Sequence, residues 1–213
     1  MTYDGFGRIV TSTDPLGHVV KKEYDGMGRV SNILDPKGDK THNIYDLVGH
    51  VIQRYAQPAS GGNYLLFSAE YNAAGELLWS AGEDSLPTEF TYTKEGKLAT
   101  STTPDGHLMA LQYNTIGLPV SEYLDKKLQL QISYDPVTSQ VTAQTDNTGK
   151  TLFAYSDDGF MTHLQHLGIH HYSNYALQWK YDRNRRVISV TDINANQTEN
   201  VYDSLGRIKE IDY

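Results

Sequence analysis

Ten tyrosines recur along the chain at a nearly constant distance, and this spacing limits the possible folds more than any other feature. Seven of the nine intervals are 21 residues long and two are 26 residues long. A period of this size corresponds to one supersecondary unit that is copied along the chain, so a repeat fold is expected. The units begin at Tyr3, Tyr24, Tyr45, Tyr71, Tyr92, Tyr113, Tyr134, Tyr155, Tyr181 and Tyr202.

Each unit opens with a motif that is typical of a tight turn. An aspartate or asparagine follows eight of the ten tyrosines, and a glycine stands four residues after the tyrosine in eight units. The aspartate side chain can accept a hydrogen bond from the N–H two residues further on, and the glycine can adopt the positive φ that closes a hairpin. The copies selected as structural repeat residues are Tyr3, Asp4, Gly7, Arg8; Tyr24, Asp25, Gly28, Arg29; Tyr45, Asp46, Gly49; and Tyr202, Asp203, Gly206, Arg207.

A second turn signal stands near the middle of several units, at residues 14–17, 35–38, 103–106 and 146–149. Proline at the second position of the first three fixes φ, and glycine at the fourth position supplies a left-handed residue. Two turns in each unit leave about seven residues for each strand. Each unit is therefore predicted to be a β-hairpin, and the chain to be a meander of about twenty antiparallel strands.

The residues before each tyrosine alternate between apolar and polar. Leu130, Ile132 and Tyr134, for example, alternate with Gln131 and Ser133. This period of two is typical of an antiparallel strand with one half-buried face. The sequence thus predicts an all-β fold in which tandem hairpins form one long, curved antiparallel sheet over residues 1–213, with no separate second domain.

Composition excludes several classes of partner and site. Lys and Arg number 18 against 26 Asp and Glu, and this net charge of −8 argues against nucleic-acid binding, which needs a basic surface. Without cysteine the chain has no disulfide and no cysteine-ligated metal. No apolar run approaches the roughly 20 residues of a membrane helix, and no signal-peptide pattern is visible in the first residues.

The unit Tyr-Asp-x-x-Gly-Arg-(Ile/Val), complete at residues 3–9, 24–30 and 202–208, resembles the RHS or YD repeat. The resemblance covers the whole chain but is degenerate elsewhere, because His50, Glu76 and Lys97 replace the arginine. Known relatives are bacterial Rhs toxins, the B and C components of insecticidal toxin complexes and, more distantly, teneurins. Neither end of the chain has an atypical, polar capping unit, so we expect a fragment of a longer array.

The resemblance implies a hollow shell made from a spiralling β-ribbon, which in the bacterial toxins encloses a toxic domain. It therefore implies a secreted or exported, non-catalytic structural protein whose partners are further YD repeats, of the same or another chain, and an enclosed toxin or effector. No cofactor is expected. The family's autoproteolytic aspartate has no counterpart here, because Asp14-Pro15 and Asp35-Pro36 occupy regular turn positions.

Four histidines, His163, His166, His170 and His171, are the weak candidates for a metal site. Imidazole nitrogens bind zinc, but no acidic or cysteine ligand is nearby in the sequence. We expect a solvated, histidine-rich loop instead. No Gly-x-Ser-x-Gly elbow or phosphate-binding loop is present, so we predict no enzymatic activity.

The repeated tyrosines allow two interpretations. Their rings could pack on neighbouring strands with each hydroxyl bonded at the sheet margin, and we favour this because they share a face with Phe90, Leu111, Ile132, Phe153 and Trp179. Alternatively, a row of rings could stack on sugars and form an extracellular carbohydrate-binding or adhesion module. In both 26-residue units, the additional residues (58–63 and 168–173) are predicted to enlarge the connection opposite the Tyr-Asp turn.

Overall fold

A computed structural model describes residues 1–169 and 174–213, and it is all-β. Twenty strands and no helix are present in the described ranges, which confirms the predicted fold class. No helix long and apolar enough to cross a membrane occurs in this part of the chain. The chain divides into two units, Met1–Leu108 and Met109–Tyr213.

In the first unit, every strand pairs in antiparallel orientation with its neighbours along the chain. Its strands are β1 (Thr2–Tyr3), β2 (Ile9–Thr13), β3 (Val19–Tyr24), β4 (Val30–Leu34), β5 (Lys40–Tyr45), β6 (Val51–Gln57), β7 (Tyr64–Tyr71), β8 (Leu77–Gly82), β9 (Thr88–Tyr92) and β10 (Leu98–Thr102).

The second unit repeats this antiparallel meander. Its strands are β11 (Leu108–Tyr113, whose first residue belongs to the first unit), β12 (Pro119–Leu124), β13 (Lys127–Tyr134), β14 (Val141–Asp146), β15 (Gly149–Tyr155), β16 (Met161–Gly168), β17 (Tyr175–Tyr181), β18 (Val187–Asp192), β19 (Gln197–Tyr202) and β20 (Ile208–Asp212).

A β-bulge accompanies the repeat tyrosines. In the β3–β4 hairpin, Glu23 pairs with Asn32 but Tyr24 pairs with Val30, so Ser31 is the extra residue. The same shift occurs beside Tyr45 and Tyr202. A bulge bends its strand and increases the local twist. The bulge therefore bends the strand that follows the turn, opposite the tyrosine at the end of the preceding strand.

In each of the two units of the chain, the side chains on one face of the sheet are less exposed to solvent than those on the other face, as the alternation predicts. In β13, Leu130, Ile132 and Tyr134 are half-buried, whereas Gln131 and Ser133 are exposed. We call the side that carries the repeat tyrosines and the residues two and four positions before them the tyrosine face. Even there, no side chain in the described ranges is fully enclosed, so each face remains partly accessible to solvent.

The first 26-residue unit shows where its additional residues lie. β6 ends at Gln57 and β7 begins at Tyr64, so residues 58–63 form the connection, as predicted. In the second long unit, Gly168 is the last residue of β16 rather than part of the loop. Residues 170–173 of that predicted connection lie outside the described residues.

Candidate functional site

The Tyr-Asp turn is closed by one carboxylate. Asp4 Oδ1 accepts hydrogen bonds from the N–H groups of Phe6 and Arg8, at 2.9 and 3.0 Å. Asp4 Oδ2 accepts the Arg8 Nε–H at 2.7 Å. Gly7 donates its N–H to the Asp4 carbonyl and has a φ of 79°, the left-handed conformation that glycine adopts without a Cβ clash. The predicted aspartate–glycine chemistry is therefore present.

The same aspartate–arginine turn recurs at Asp25, Asp182 and Asp203. In each case, the arginine N–H donates to the carboxylate and its guanidinium adds a second, charge-assisted bond. These bonds stabilise the ionised form, so the pKa of each aspartate lies below its usual value. The turn motif is thus also an electrostatic motif.

The arginine of one repeat also contacts the tyrosine of the next. The guanidinium carbon of Arg8 lies 4.3 Å from the centroid of the Tyr24 ring, a cation–π distance. The Tyr24 hydroxyl donates to the carbonyl of Ile9 at 2.8 Å. We call this arrangement of an arginine, the carbonyl that follows it and the next repeat's tyrosine the inter-repeat clasp. It joins consecutive hairpins through side chains.

Two further clasps have almost the same geometry. Arg29 lies 4.5 Å from the Tyr45 ring, whose hydroxyl donates to Val30 at 2.8 Å. Arg186 lies 4.4 Å from the Tyr202 ring, whose hydroxyl donates to the carbonyl of residue 187, also at 2.8 Å. The tyrosine hydroxyl bond is retained without the arginine in other repeats, as at Tyr92 and Tyr134.

Two positions that lack the arginine still cover the next tyrosine. His50 bonds Asp46 Oδ2 through Nδ1 at 2.8 Å, and its ring stacks on Tyr71 with centroids 4.4 Å apart. Phe160 lies 5.3 Å from the Tyr181 ring. The sequence interpretation treated His50 only as a loss of arginine. The signal it missed is the constant distance of 16 residues from Arg8 to Tyr24, Arg29 to Tyr45 and Arg186 to Tyr202.

The clasp makes a testable prediction about single hydroxyl groups. Tyr24→Phe keeps the ring under Arg8 but leaves the Ile9 carbonyl without its donor, so we expect a loss of about 1 kcal/mol in the free energy of unfolding. Tyr3→Phe is the matched control, because within the described part of the chain the Tyr3 hydroxyl bonds only the Met1 sulfur, at 4.0 Å. Urea denaturation of both variants measures the difference. Equal midpoints would show that the hydroxyl bond adds nothing.

Turns at mid-unit use similar chemistry, with one difference from the sequence prediction. Asp14 accepts the N–H groups of Leu16 and His18, and its Oδ2 lies 2.8 Å from His18 Nδ1. Gly149, however, was predicted to be a left-handed turn residue, and it is instead the buried first residue of β15 with a φ of 150°. It pairs with Gly168 across the β15–β16 ladder, so close backbone approach explains this glycine.

The histidine prediction needs a correction. His163 and His166 lie in β16 rather than in a solvated loop, and His166 is buried. His166 bonds the Thr151 hydroxyl at 2.9 Å and stacks on Tyr175 at 5.0 Å. Since residues three apart on a strand face opposite sides, His163 and His166 do not converge. His170 and His171 lie outside the described residues.

No group of three or more His, Cys, Asp or Glu side chains in the described ranges is placed to hold a metal ion. The structure does bring the structural repeat residues into contact, within each turn and between consecutive hairpins. The rings of Tyr24, Tyr45 and Tyr202 are half-buried beneath guanidinium groups and their hydroxyls bond backbone carbonyls. These contacts are those of packing residues.

Comparisons with known proteins agree with the repeat. Residues 3–40 match the RHS Repeat family, and no curated protein matches the chain. The TcdB2-TccC3 structure resembles it with a TM-score of 0.67 at 15% identity, over 97% of this chain and 15% of that chain. The Photorhabdus luminescens Tc holotoxin pore gives a TM-score of 0.57 at 13% identity, over 97% of this chain and 13% of that chain.

At these identities the structural likeness concerns the fold, and the chain spans only about a seventh of the length of the structures that it matches. The chain therefore contains an RHS repeat at residues 3–40, its tyrosine-led units continue to Tyr202, and its fold is like that of the toxin-complex structures.

Proposed function

We propose that the chain is a non-catalytic segment of an RHS-repeat shell. The shell encloses a toxin or effector domain that is encoded outside this sequence, and it is secreted or exported from the producing cell. The support for a shell-type repeat is the RHS match together with the likeness to the toxin-complex structures. In this proposal its partners are further YD repeats and the enclosed domain.

The observation that carries this proposal is how the hairpins are held together. In an ordinary domain, a sheet is stabilised by a second layer packed on its apolar face. Here the apolar residues that are buried in the described ranges are only Ala69 and Ala143. The clasps bind neighbouring hairpins to one another, and the turn carboxylates close the individual turns. A β-sheet that is stabilised without a second layer can form the wall of a hollow shell.

The tyrosine face supplies a second argument. Leu111, Ile132, Phe153 and Trp179 are half-buried and therefore retain accessible apolar surface. Apolar surface of this kind marks a site of interaction with another polypeptide. In a shell, this face would contact the enclosed chain.

A chimera tests the enclosing role. Residues 3–207 would replace the matched segment of the TcdB2-TccC3 shell, and the enclosed chain would be exposed to protease after the shell has been purified by size. We expect cargo in the chimera to be digested as slowly as cargo in the parent shell. A shell of the parent size whose cargo is cut as fast as free cargo would contradict the proposal.

Glycan binding is tested on the chain itself. On a glycan array we expect no specific, saturable binding, since the repeat tyrosines are engaged in clasps. Saturable binding of a sugar that is lost in Tyr45→Ala but kept in Tyr64→Ala would favour an adhesion module. Tyr64 is a suitable control because it is an exposed strand tyrosine outside the repeat positions.

A further inference from the structure

The turn that follows Tyr181 departs from the repeat at its glycine position. Eight repeats have glycine four residues after the tyrosine, whereas this turn has Arg185. The Arg185 N–H donates to the Asp182 carbonyl at 3.0 Å, the bond that glycine makes in other turns, and its φ is 68°. This left-handed conformation strains a residue with a Cβ, and strained residues are concentrated at active sites and ligand sites. The turn therefore carries a long side chain where closure alone would favour glycine.

The neighbouring hairpin also departs from the repeat, at the residue that Arg185 contacts. Phe160 occupies the position of the clasp arginine, and its ring lies 5.3 Å from the Tyr181 ring. The guanidinium carbon of Arg185 lies 5.4 Å from the centroid of the Phe160 ring. A guanidinium that packs over a ring face keeps its N–H groups available, because all five lie in its own plane. These groups can therefore donate to an anion.

Two arginines of this turn have no acidic partner. Arg186 is bound to Asp182, with 2.6 Å between Nη2 and Oδ2. Arg183 and Arg185 are exposed, and no carboxylate in the described part of the chain forms an ion pair with either. A guanidinium donates to carboxylate and phosphate oxygens through short, charge-assisted bonds, often two at once. The turn thus offers two anion-binding groups on a chain whose net charge is −8.

The same residues line an open pocket of about 630 Å³. Phe160, Trp179 and Tyr181 supply half-buried aromatic rings, and Arg183 and Arg185 supply two cationic groups. Sites for small molecules have a volume in this range, with mostly apolar walls and a few polar groups that fix the orientation of the ligand. The pocket lies entirely within the second unit of the chain. Its walls and charges match a ligand that is both aromatic and anionic.

We propose that this pocket binds a small aromatic molecule with a single anionic group, such as an aryl phosphate or an aryl carboxylate. The ligand ring packs against Phe160 and Trp179, and the anionic group accepts hydrogen bonds from Arg183 and Arg185. Asp158 also lines the pocket, and its carboxylate repels a second anionic group on the ligand. The proposal does not depend on what the repeats enclose.

The test titrates the 213-residue chain with phenyl phosphate. The chain carries Trp79→Phe, so that Trp179 is its one remaining tryptophan and reports on the pocket through its fluorescence. We expect a saturable change with a Kd of about 1 mM, the affinity that a ligand of this size allows. Arg185→Gly should weaken binding about tenfold, because charge-assisted bonds are lost. This variant also removes the strain at a φ of 68°, so it should fold at least as well as the parent chain.

Lys126→Gly is the matched control. It removes another exposed positive charge at a left-handed position, with a φ of 67°, but Lys126 does not line the pocket. Binding should change less than twofold in this variant. An equal loss in the two glycine variants would reduce the effect to the net charge of the chain and would overturn the proposal.

Further ligands separate the ring from the anionic group. Inorganic phosphate should compete only at a concentration at least about tenfold higher, and Phe160→Leu should weaken phenyl phosphate binding about fivefold, since ring stacking is lost. Benzoate replaces the phosphate by a carboxylate, and the tighter of the two ligands identifies the preferred anionic group. Inorganic phosphate that competes as well as phenyl phosphate, or no saturation by either aromatic ligand up to about 10 mM, a concentration well above the expected Kd, would each overturn the proposal.

Discussion

Gly149→Ala is expected to destabilise the chain by about 3 kcal/mol. A Cβ at this position would lie 2.2 Å from the Leu167 carbonyl oxygen and 2.7 Å from the Gly168 Cα, so it would meet backbone rather than a movable side chain. The φ of 150° adds strain for any residue with a Cβ. Forcing extra atoms into such a contact costs about 1–3 kcal/mol, in addition to the conformational strain.

Gly17→Ala is the matched control. Gly17 has a φ of 87° and open space where its Cβ would stand, so only the conformational cost of about 1–2 kcal/mol applies. Urea denaturation gives the free energy of unfolding of both variants, and hydrogen exchange reports whether the β15–β16 ladder opens first. Equal losses in the two variants would show that the close approach to residues 167 and 168 does not limit the fold.

Acid is expected to unfold the chain over a broad range below about pH 5. Turn hydrogen bonds stabilise the ionised form of several aspartates in the described ranges and lower their pKa below the ordinary value of 3.8: Asp4, Asp14, Asp25, Asp46, Asp135, Asp146, Asp182, Asp192 and Asp203. For Asp46, burial raises the pKa, but bonds from the His50 side chain and from the N–H groups of residues 48–50 outweigh it and lower the pKa to about 2.

The direction of the effect follows from linkage. A carboxyl whose pKa is lower in the folded state contributes stability that is fully present above its unfolded pKa, and that stability is lost as the pH falls through the folded pKa. The loss therefore begins near pH 5 and continues to about pH 2. Urea midpoints measured from pH 7 to pH 2 should decrease monotonically on the acid side.

Two reciprocal variants assign this acid sensitivity to the turns. Asp46→Asn should reduce the change in urea midpoint between pH 5 and pH 2, because the asparagine cannot titrate. Asn114→Asp should increase that change, since Asn114 Oδ1 already accepts the N–H groups of Ile116 and Leu118 as the turn aspartates do. A pH dependence that neither variant alters would place its origin outside the turn carboxylates.

Strands and turns could be predicted from the sequence because their determinants are local. The alternation before Tyr134 and the Asp4–Gly7 chemistry each depend on residues a few positions apart, and both are found in the structure. The clasp depends instead on a contact between residues 16 apart, such as Arg8 and Tyr24, which only the hairpin register brings together. Propensity and turn rules carry no information about that distance.

Two further differences, at His50 and His166, also depend on contacts between residues that are distant in the sequence. His50 replaces the repeat arginine because an imidazole can both donate to Asp46 and stack on Tyr71. The imidazole therefore makes the same two contacts as the guanidinium, although the residue type differs. His166 was expected in a solvated loop because it lies in one of the two 26-residue units and has no acidic or cysteine ligand near it in the sequence. Its burial follows from the extended β16, which places it opposite Thr151 and against Tyr175.

The hydroxyl groups of the repeat tyrosines bond carbonyls that are close to them in the sequence, and these short separations affect how the chain folds during synthesis. Tyr24 bonds a carbonyl 15 residues earlier, and Tyr181 bonds one 20 residues earlier. A ribosome adds 20 residues in about 1–4 s, whereas a β-hairpin forms in about 1–10 μs. Each hairpin can therefore close on its predecessor long before the next one is translated. We expect the array to fold in the order of its synthesis, with at most one unfinished hairpin at a time.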